Sequence, residues 1–255
     1  ATITTDVRCN AGNDGAIDLT ATGGTTPYTY AWSNSAATED VNGLGAASYD
    51  VTVTDNNGCT ATTSATINQP SLLSANTATT DISCAGGSDG AIDLTTTGGT
   101  TPYTYAWSNA ANTQDINGLG AASYDVTVTD NNGCTTTASA TINEPTPIGL
   151  ATATTDVSCN AGNDGAIDLT ATGGTTPYTY NWSNAANTQD VNGIAQGGYT
   201  VTVTDNNGCT ATTSATINEP TPIGLTTATT DVACAGDNDG AIDLTATGGT
   251  TPYTY

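Results

Sequence analysis

The sequence of 255 residues has no histidine, no methionine and no phenylalanine, and Arg8 is its only basic side chain. Because histidine and lysine are missing, the residues that most often act as general bases are missing too. Asp14 and Asp18 come nearest to a pair of catalytic carboxylates, but nothing in the sequence predicts a pocket that would shift their acidities. We therefore expect no enzyme, no catalytic residue and no cofactor-binding residue.

The near absence of positive charge excludes two classes of partner. One basic side chain faces 24 aspartate and glutamate residues, which gives a net charge of −23. Such a field repels nucleic acid and anionic membranes, so we expect neither as a direct partner. No apolar run approaches the roughly 20 residues that span a bilayer, and no signal peptide is visible. The sequence therefore predicts no direct membrane insertion.

What the sequence does contain is a long repeat. The stretch Gly23–Tyr30 returns unchanged at Gly98–Tyr105, Gly173–Tyr180 and Gly248–Tyr255, always 75 residues further on. A fixed period of this kind is the signature of a tandem array. We expect domains at residues 1–75, 76–150 and 151–225, and a truncated fourth at 226–255. Because methionine is absent and the last copy stops within a strand, we expect both ends to be cuts through a longer array.

The residue pattern in each copy predicts strands and turns but no helix. Period-two alternation and turn-forming residues delimit six strands in the first copy. They are Ala1–Cys9, Ala16–Ala21, an aromatic strand with Tyr28, Tyr30 and Trp32 on one face, Thr38–Leu44, Tyr49–Asp55 and Cys59–Ile67. The pattern favours an all-β fold, a tandem array of immunoglobulin-like (Ig-like) β-sandwich domains of about 75 residues each.

The seven cysteines follow the same period. Cys9, Cys84, Cys159 and Cys234 are 75 residues apart, and so are Cys59, Cys134 and Cys209. In small domains without histidine or zinc-like spacing, this pattern predicts disulfides in an oxidising compartment. A bond within the repeat, from Cys9 to Cys59, is favoured because both lie on the inward side of their predicted strands. A bond between neighbours, from Cys9 to Cys134, is the alternative, and Cys234 lacks its partner in the truncated copy.

Three segments of the repeat are specific when they occur together. They are Cys9–Gly15, Gly23–Trp32 and Tyr49–Cys59, and each complete copy carries its version of them. In combination they resemble the SprB repeat, a family found in very long cell-surface adhesins of Bacteroidetes. The resemblance implies a secreted surface filament, exported by a type IX route, that serves attachment and in SprB itself is moved along the cell during gliding. It supplies no catalytic residue.

Each copy also has an acidic turn that could attract calcium. The turns are Asn13–Gly15 with Asp18, Ser88–Gly90 with Asp93, Asn163–Gly165 with Asp168, and Asp237–Gly240 with Asp243. Calcium takes six to eight oxygen ligands, and Asp6 or Asp55 could add to the turn. The spacing is not that of an EF-hand, however, and Asn, Asp and Gly are what an ordinary turn uses. We expect ordinary turns without a cofactor, and calcium is the alternative, with the loop at Asp237 as its best candidate.

Two further motifs have a structural and a binding interpretation. Tyr28, Tyr30 and Trp32 could form a sugar-binding platform, but alternation within a strand favours a place in the core. Asn181-Trp182-Ser183 matches a glycosylation acceptor. Only the third copy has it, so we expect a chance match.

Together these observations predict the repeat region of an extracellular filament on a cell surface. Its expected partners are neighbouring repeats of the same chain and, at the attachment surface, polysaccharide or other cells. An alternative is a self-assembling fibre of the extracellular matrix, built by contacts between chains. Stalk-like repeats contact only their neighbours, whereas a fibre needs an exposed strand edge that pairs with another chain.

Overall fold

The computed structural model describes residues 1–255 and contains twenty β-strands and no helix. The predicted all-β fold is therefore confirmed, and so are six strands in each of the three complete copies. No part of the chain forms a helix with the length and apolarity that a membrane crossing requires.

The same strand set recurs along the chain. In the first copy the strands are Thr2–Thr5 (β1), Gly15–Leu19 (β2), Thr29–Trp32 (β3), Val41–Leu44 (β4), Ala47–Thr54 (β5) and Thr60–Ile67 (β6). In the second they are Ser74–Thr80 (β7), Gly90–Thr97 (β8), Thr104–Trp107 (β9), Ile116–Leu119 (β10), Ala122–Thr129 (β11) and Thr135–Ile142 (β12). In the third they are Gly149–Thr155 (β13), Gly165–Thr172 (β14), Thr179–Trp182 (β15), Val191–Ile194 (β16), Gly197–Thr204 (β17) and Thr210–Ile217 (β18), and the last copy has Gly224–Thr230 (β19) and Ala241–Thr247 (β20).

Each complete copy is a sandwich of two antiparallel three-stranded sheets. In the first copy the sheets have the orders β1-β2-β4 and β3-β5-β6, and the second and third copies repeat both orders. The chain divides into two compact units. One holds residues 1–82 and 87–143, and the other holds residues 83–86 and 144–255. The short loop 83–86 therefore belongs to the unit of the third copy, although its sequence lies in the second.

The core of each sandwich lies between its two sheets. In the first copy Ile17, Trp32, Val51 and Ile67 come from four different strands and are all buried there. The Trp32 indole donates to the carbonyl of Thr38 at 2.9 Å, so its one polar atom stays satisfied when the ring is buried. Trp107 and Trp182 make the same bond in their own copies. The tryptophan of the predicted aromatic strand is thus a core residue.

One detail of the predicted strands is wrong, and burial along the aromatic strand is uneven. β1 ends at Thr5, and the next residues form a turn in which the Gly12 amide donates to the carbonyl of Cys9 at 2.9 Å. Cys9 therefore lies in a loop, because Val7 (and not Cys9) turns into the core at this point. In the aromatic strand only Trp32 is fully buried, while the two tyrosines before it are half-buried.

Candidate functional site: the junction between repeats

The linker before a repeat lies in a groove at the end of that repeat's sandwich. In the second copy the Gly99 amide donates to the carbonyl of Ser71 at 2.8 Å, and Leu73 is only 7% exposed. In the third copy the Gly174 amide donates to Thr146 at the same distance, and Ile148 packs against the core. The Gly-Gly pair of the repeated stretch is therefore a seat for the incoming chain as well as a turn.

A loop of the preceding repeat is hydrogen-bonded to the start of the linker. In the first unit the Ala11 amide donates to the side chain of Gln69 at 2.7 Å, and the Asn10 side chain donates to the carbonyl of Pro70 at 3.0 Å. In the second unit the Gly86 amide donates to the carboxylate of Glu144 at 2.6 Å. An acceptor side chain directly before the proline thus holds the cysteine-bearing loop in place.

The base of this loop is fixed to the last strand of its own sandwich. Asp6 accepts from the backbone amide of Asn68 at 2.8 Å, and the Val7 amide donates to the carbonyl of Asn68 at 3.1 Å. Asp81 with Asn143 and Asp156 with Asn218 repeat the carboxylate contact. The loop, the end of the domain and the linker therefore form one hydrogen-bonded group.

On the far side of the junction the hairpin of the next repeat receives the loop. The hairpin between β11 and β12 is organised by Asp130, whose carboxylate accepts from the amides of Thr100, Asn132 and Cys134, each at 2.9 Å. The Asn132 side chain then donates to the carbonyl of Arg8, also at 2.9 Å. Asn207 makes the equivalent bond to Ser83 at 3.1 Å in the second unit.

A disulfide closes each of these two junctions. Cys9 is bonded to Cys134, and Cys84 is bonded to Cys209, both with a sequence separation of 125 residues. The favoured pairing within a repeat is therefore wrong, because Cys9 lies in the loop that faces the neighbouring hairpin. Cys59, Cys159 and Cys234 are free and exposed.

The aspartate of the hairpin is held ionised by its hydrogen bonds. Burial of Asp130, which is 5% exposed, is the largest single influence and opposes ionisation. The backbone donors of Thr100, Cys134 and Asn132 together outweigh it, so the pKa of Asp130 lies below its ordinary value. The Thr175 amide has the leading effect on Asp205, whose pKa is also lowered. Both carboxylates are therefore anions that hold their hairpins through hydrogen bonds from backbone amides.

The acidic turns use their aspartates to brace the turn itself. Asp14 accepts from the side chain of Arg8 at 2.7 Å and from its backbone amide at 3.0 Å, and these two bonds lower the pKa of Asp14. Asp164 accepts from the hydroxyl and from the amide of Ser158, and Asp239 accepts from the amide of Ala233 at 3.1 Å. No three acidic, cysteine or histidine side chains come together as a metal-binding group.

The aromatic residues and the glycosylation motif do not form a common site. The hydroxyl of Tyr28 donates to the carbonyl of Gly23, and Tyr30 packs against the core of the first copy. Asn181 lies exposed within β15, where it pairs with Thr202. The tyrosines therefore support the Gly-Gly turn and the edge of the core.

Sequence reasoning missed the residues that build the junction. The sequence pattern indicates only a short proline-containing connection at Gln69-Pro70, and it offers Asp55 only as a possible calcium ligand. The fixed period could have pointed to these junction residues, because an Asn, an acceptor side chain and a proline recur at the start of every linker. Period alone could not reveal that they contact the cysteine loop, since that contact depends on where β1 ends.

Comparison with protein-family models identifies the repeat. The family model of the SprB repeat matches residues 1–37, 76–112, 151–187 and 226–255, which together make up more than half of the chain. These matches confirm the resemblance found in the sequence. Among curated proteins no sequence match was found.

The comparison with solved structures returns several chains built from Ig domains, at low identity and low TM-score. The N-terminal eight Ig domains of Down Syndrome Cell Adhesion Molecule are 14% identical with a TM-score of 0.33, and the match covers 86% of this chain but only 37% of that one. The N-terminal four Ig domains of Dscam1 isoform 9.44 are 12% identical with a TM-score of 0.28, covering 86% and 72%. The complex of Dpr2 Ig1-Ig2 with DIP-Theta Ig1-Ig3 gives 10% identity and a TM-score of 0.28, covering 86% and 98%.

Proposed function

The chain belongs to the SprB repeat family, and from that premise we propose that it is the repeat region of a long extracellular filament or adhesin. Its role is mechanical. The sandwiches span distance and carry tension between the cell and the polysaccharide surface or neighbouring cell to which the filament attaches. In a gliding cell the same array carries the traction. The role needs no catalysis and no cofactor, and it places the chain outside the cell, where disulfides persist.

The observation that carries this proposal is the overlap of the two disulfides. Cys9–Cys134 and Cys84–Cys209 share residues 84–134, so every peptide bond between residues 9 and 209 lies inside at least one closed loop. A single cut in this region leaves the two parts covalently joined. Such redundancy suits a thread exposed to proteases and to shear.

The same overlap limits how far the chain can be stretched. The shortest covalent path from end to end runs along residues 1–9, crosses to 134, returns to 84, and crosses to 209. This path contains roughly 105 residues, which span at most about 370 Å, whereas the whole chain would extend to about 890 Å if it were unlinked. The intact disulfides therefore limit the fully stretched length to less than half of that of the unlinked chain.

A nicking experiment tests the proposal. A specific protease site inserted in the exposed loop of residues 33–37 lies inside the Cys9–Cys134 loop only. After cleavage, we expect one full-length band on a non-reducing denaturing gel and two fragments after reduction. Cys9→Ser separates the fragments without reduction, whereas the matched control Cys84→Ser keeps them joined. Separation of the unsubstituted chain without reductant contradicts the proposal.

A second candidate is a fibre assembled between chains, which needs an exposed strand edge that pairs with another chain. Electron microscopy of the native filament distinguishes the two candidates. Single threads one domain wide support the stalk, and laterally ordered cables support the fibre.

A further inference from the structure

At each junction that a disulfide closes, a hairpin asparagine contacts both repeats with one side-chain amide. In the first unit the Nδ2 atom of Asn132 donates to the hydroxyl of Thr100 in its own repeat at 3.1 Å and to the carbonyl of Arg8 in the preceding repeat at 2.9 Å. In the second unit Asn207 repeats both bonds, at 3.2 Å within its own repeat and at 3.1 Å to Ser83. A single amide group therefore ties the hairpin to the loop that faces it.

The acceptor in the loop is the peptide group directly before the cysteine. Arg8 precedes Cys9 and Ser83 precedes Cys84, and both accept through the backbone carbonyl. Because the two side chains differ, the bond does not depend on the residue type at this position. The Sγ atom of the hairpin cysteine lies 3.4 Å from the carbonyl oxygen of Arg8 and 3.2 Å from that of Ser83 in the two units. The asparagine therefore holds the loop immediately beside the disulfide.

The hairpin itself fixes the position of the asparagine. The carboxylate of Asp130 accepts from the amides of Asn132 and Cys134, each at 2.9 Å. Asp205 holds Asn207 and its cysteine in the same way. One carboxylate thus orients both the amide donor and the hairpin cysteine, so the hairpin is preorganised to receive the loop.

The local sequence does not tell the loop cysteine which hairpin to join. All three complete copies have an identical hairpin segment, and these segments are Val51–Thr60, Val126–Thr135 and Val201–Thr210. Cys9 therefore meets the same residues at every hairpin cysteine, yet it is bonded to Cys134. The pairing must depend on where the folded chain holds the loop.

We propose that Asn132 and Asn207 are positioning residues that dock the loop before its disulfide forms. Neither atom of the bond between the asparagine amide and the loop carbonyl belongs to a cysteine, so the bond needs no disulfide. It raises the effective concentration of the thiol pair between neighbouring repeats over that of any other pair. This role concerns how the disulfides form, so it does not depend on the load that the filament carries.

The disulfide forms by exchange with a small-molecule disulfide such as glutathione disulfide. One of the two cysteine thiolates attacks a sulfur of this oxidant and releases one molecule of small thiol. The other cysteine then loses its proton and attacks the protein sulfur of the mixed disulfide, which releases the second small thiol. The two protein thiols are oxidised, and the oxidant takes up two electrons and two protons. The asparagine acts on the second step, because it keeps the two cysteines side by side.

Asn132→Ala in the full chain tests the role, with Asn131→Ala as its matched control. Asn132 does not have a positive φ, so alanine fits its backbone conformation. Asn131 is exposed in the same turn, and it bonds to the carbonyl of Thr100 through its backbone amide, which alanine retains. The two variants therefore differ in the loss of the side-chain bonds of Asn132.

Each variant is equilibrated with glutathione and glutathione disulfide, quenched with acid and mapped for both junction disulfides. We expect Asn132→Ala to lower the equilibrium constant for the Cys9–Cys134 bond by roughly two- to tenfold. The Cys84–Cys209 bond in the same molecule should be unaffected. Asn207→Ala should give the reverse pattern, and the control should change neither bond. An unchanged constant for Cys9–Cys134 in Asn132→Ala overturns the proposal.

Hydrogen exchange of β11 and β12 in the reduced chains separates positioning from a general loss of structure. Equal protection in Asn132→Ala and its control, together with the lowered constant, supports the positioning role. A loss of protection that matches the fall in the constant means a structural role and overturns the proposal. Unprotected strands in the reduced parent chain also overturn it, because docking then cannot precede oxidation. The nicking experiment uses the oxidised chain, so its result stands in each case.

Discussion

The carbonyl oxygen of Leu72 lies only 1.9 Å from the place where a Cβ on Gly98 would be. Gly98 also has a φ of +74°, so it is required both for its backbone conformation and for the close passage of the linker. Gly23 is the matched position in the first copy. It has a φ of +83°, and no atom lies within 4 Å of its missing Cβ. The two glycines therefore separate the cost of backbone strain from the cost of a lost linker seat.

We predict that Gly98→Ala destabilises its sandwich more than Gly23→Ala does. Both changes carry about 1–2 kcal/mol for a non-glycine residue in the left-handed region. Gly98→Ala also displaces Leu73, whose burial contributes about 1.5–3 kcal/mol. Hydrogen exchange resolved by repeat measures both effects, and equal losses in the two copies would mean that the linker contributes nothing.

The junction disulfide is expected to stabilise the first unit. In the chain-entropy account, closing a loop of this length contributes up to about 5 kcal/mol. Cys134→Ser should therefore lower the melting temperature of the first and second copies, and it should free the thiol of Cys9. Cys59→Ser is the control, because Cys59 has no partner in the chain. Calorimetry measures the melting temperatures of the two variants, and peptide mapping under non-reducing conditions checks the disulfide connectivity. A peptide in which Cys9 is bonded to Cys59 would show that the connectivity is wrong.

These junction residues mark the limit of what the sequence predicts. Alternation and turn residues were enough to place six strands and the tryptophan core, because burial imposes a period of two on each strand. The same rule failed at Cys9, where the chain leaves the sheet after Thr5 and the period no longer applies. The Gly-Gly pair predicts a turn, which the structure confirms, but the contacts of Gly98 with Leu72 and of Gly99 with Ser71 are tertiary. Local patterns carry no information on such a contact.

The buried tryptophan should dominate the stability of each sandwich. Trp107 is buried and bonded through its indole to Thr113 at 2.9 Å, whereas Tyr105 on the same strand is only half-buried. Trp107→Ala is expected to cost about 3–5 kcal/mol. At about 0.05–0.15 kcal/mol per residue, a repeat of about 75 residues is stabilised by about 4–11 kcal/mol, so this loss is a large part of the total. Urea denaturation should show that Trp107→Ala lowers the free energy of unfolding much more than Tyr105→Ala does. Similar losses for the two variants would mean that Trp107 is not at the centre of the core.

Calcium is not expected to change the stability of the repeats. The carboxylate of Asp164 already accepts hydrogen bonds from the hydroxyl and the amide of Ser158. Chelation should therefore leave the melting temperature unchanged, and Asp164→Asn should lower the melting temperature slightly and by the same amount with or without calcium. A rise in melting temperature with millimolar calcium that Asp164→Asn abolishes would instead make the turn a calcium site.

Acid should weaken the hairpins, because the pKa of Asp130 is lowered by its backbone donors. A carboxyl whose pKa falls on folding contributes stability that is complete above its unfolded pKa of about 3.9 and is lost as the pH falls through the lower folded value. We therefore expect the urea midpoint of the second copy to be constant near neutral pH and to decrease below about pH 4. Asp130→Asn should lower the urea midpoint at pH 7, because an amide has one acceptor oxygen for three donors. The variant should also show a smaller decrease of the midpoint in acid, which is called the acid limb below, because its side chain does not titrate. Asp125→Asn, on the exposed face of β11, is the control and should leave the limb intact. If both variants keep the wild-type limb, the hairpin carboxylate is not the group that acid titrates.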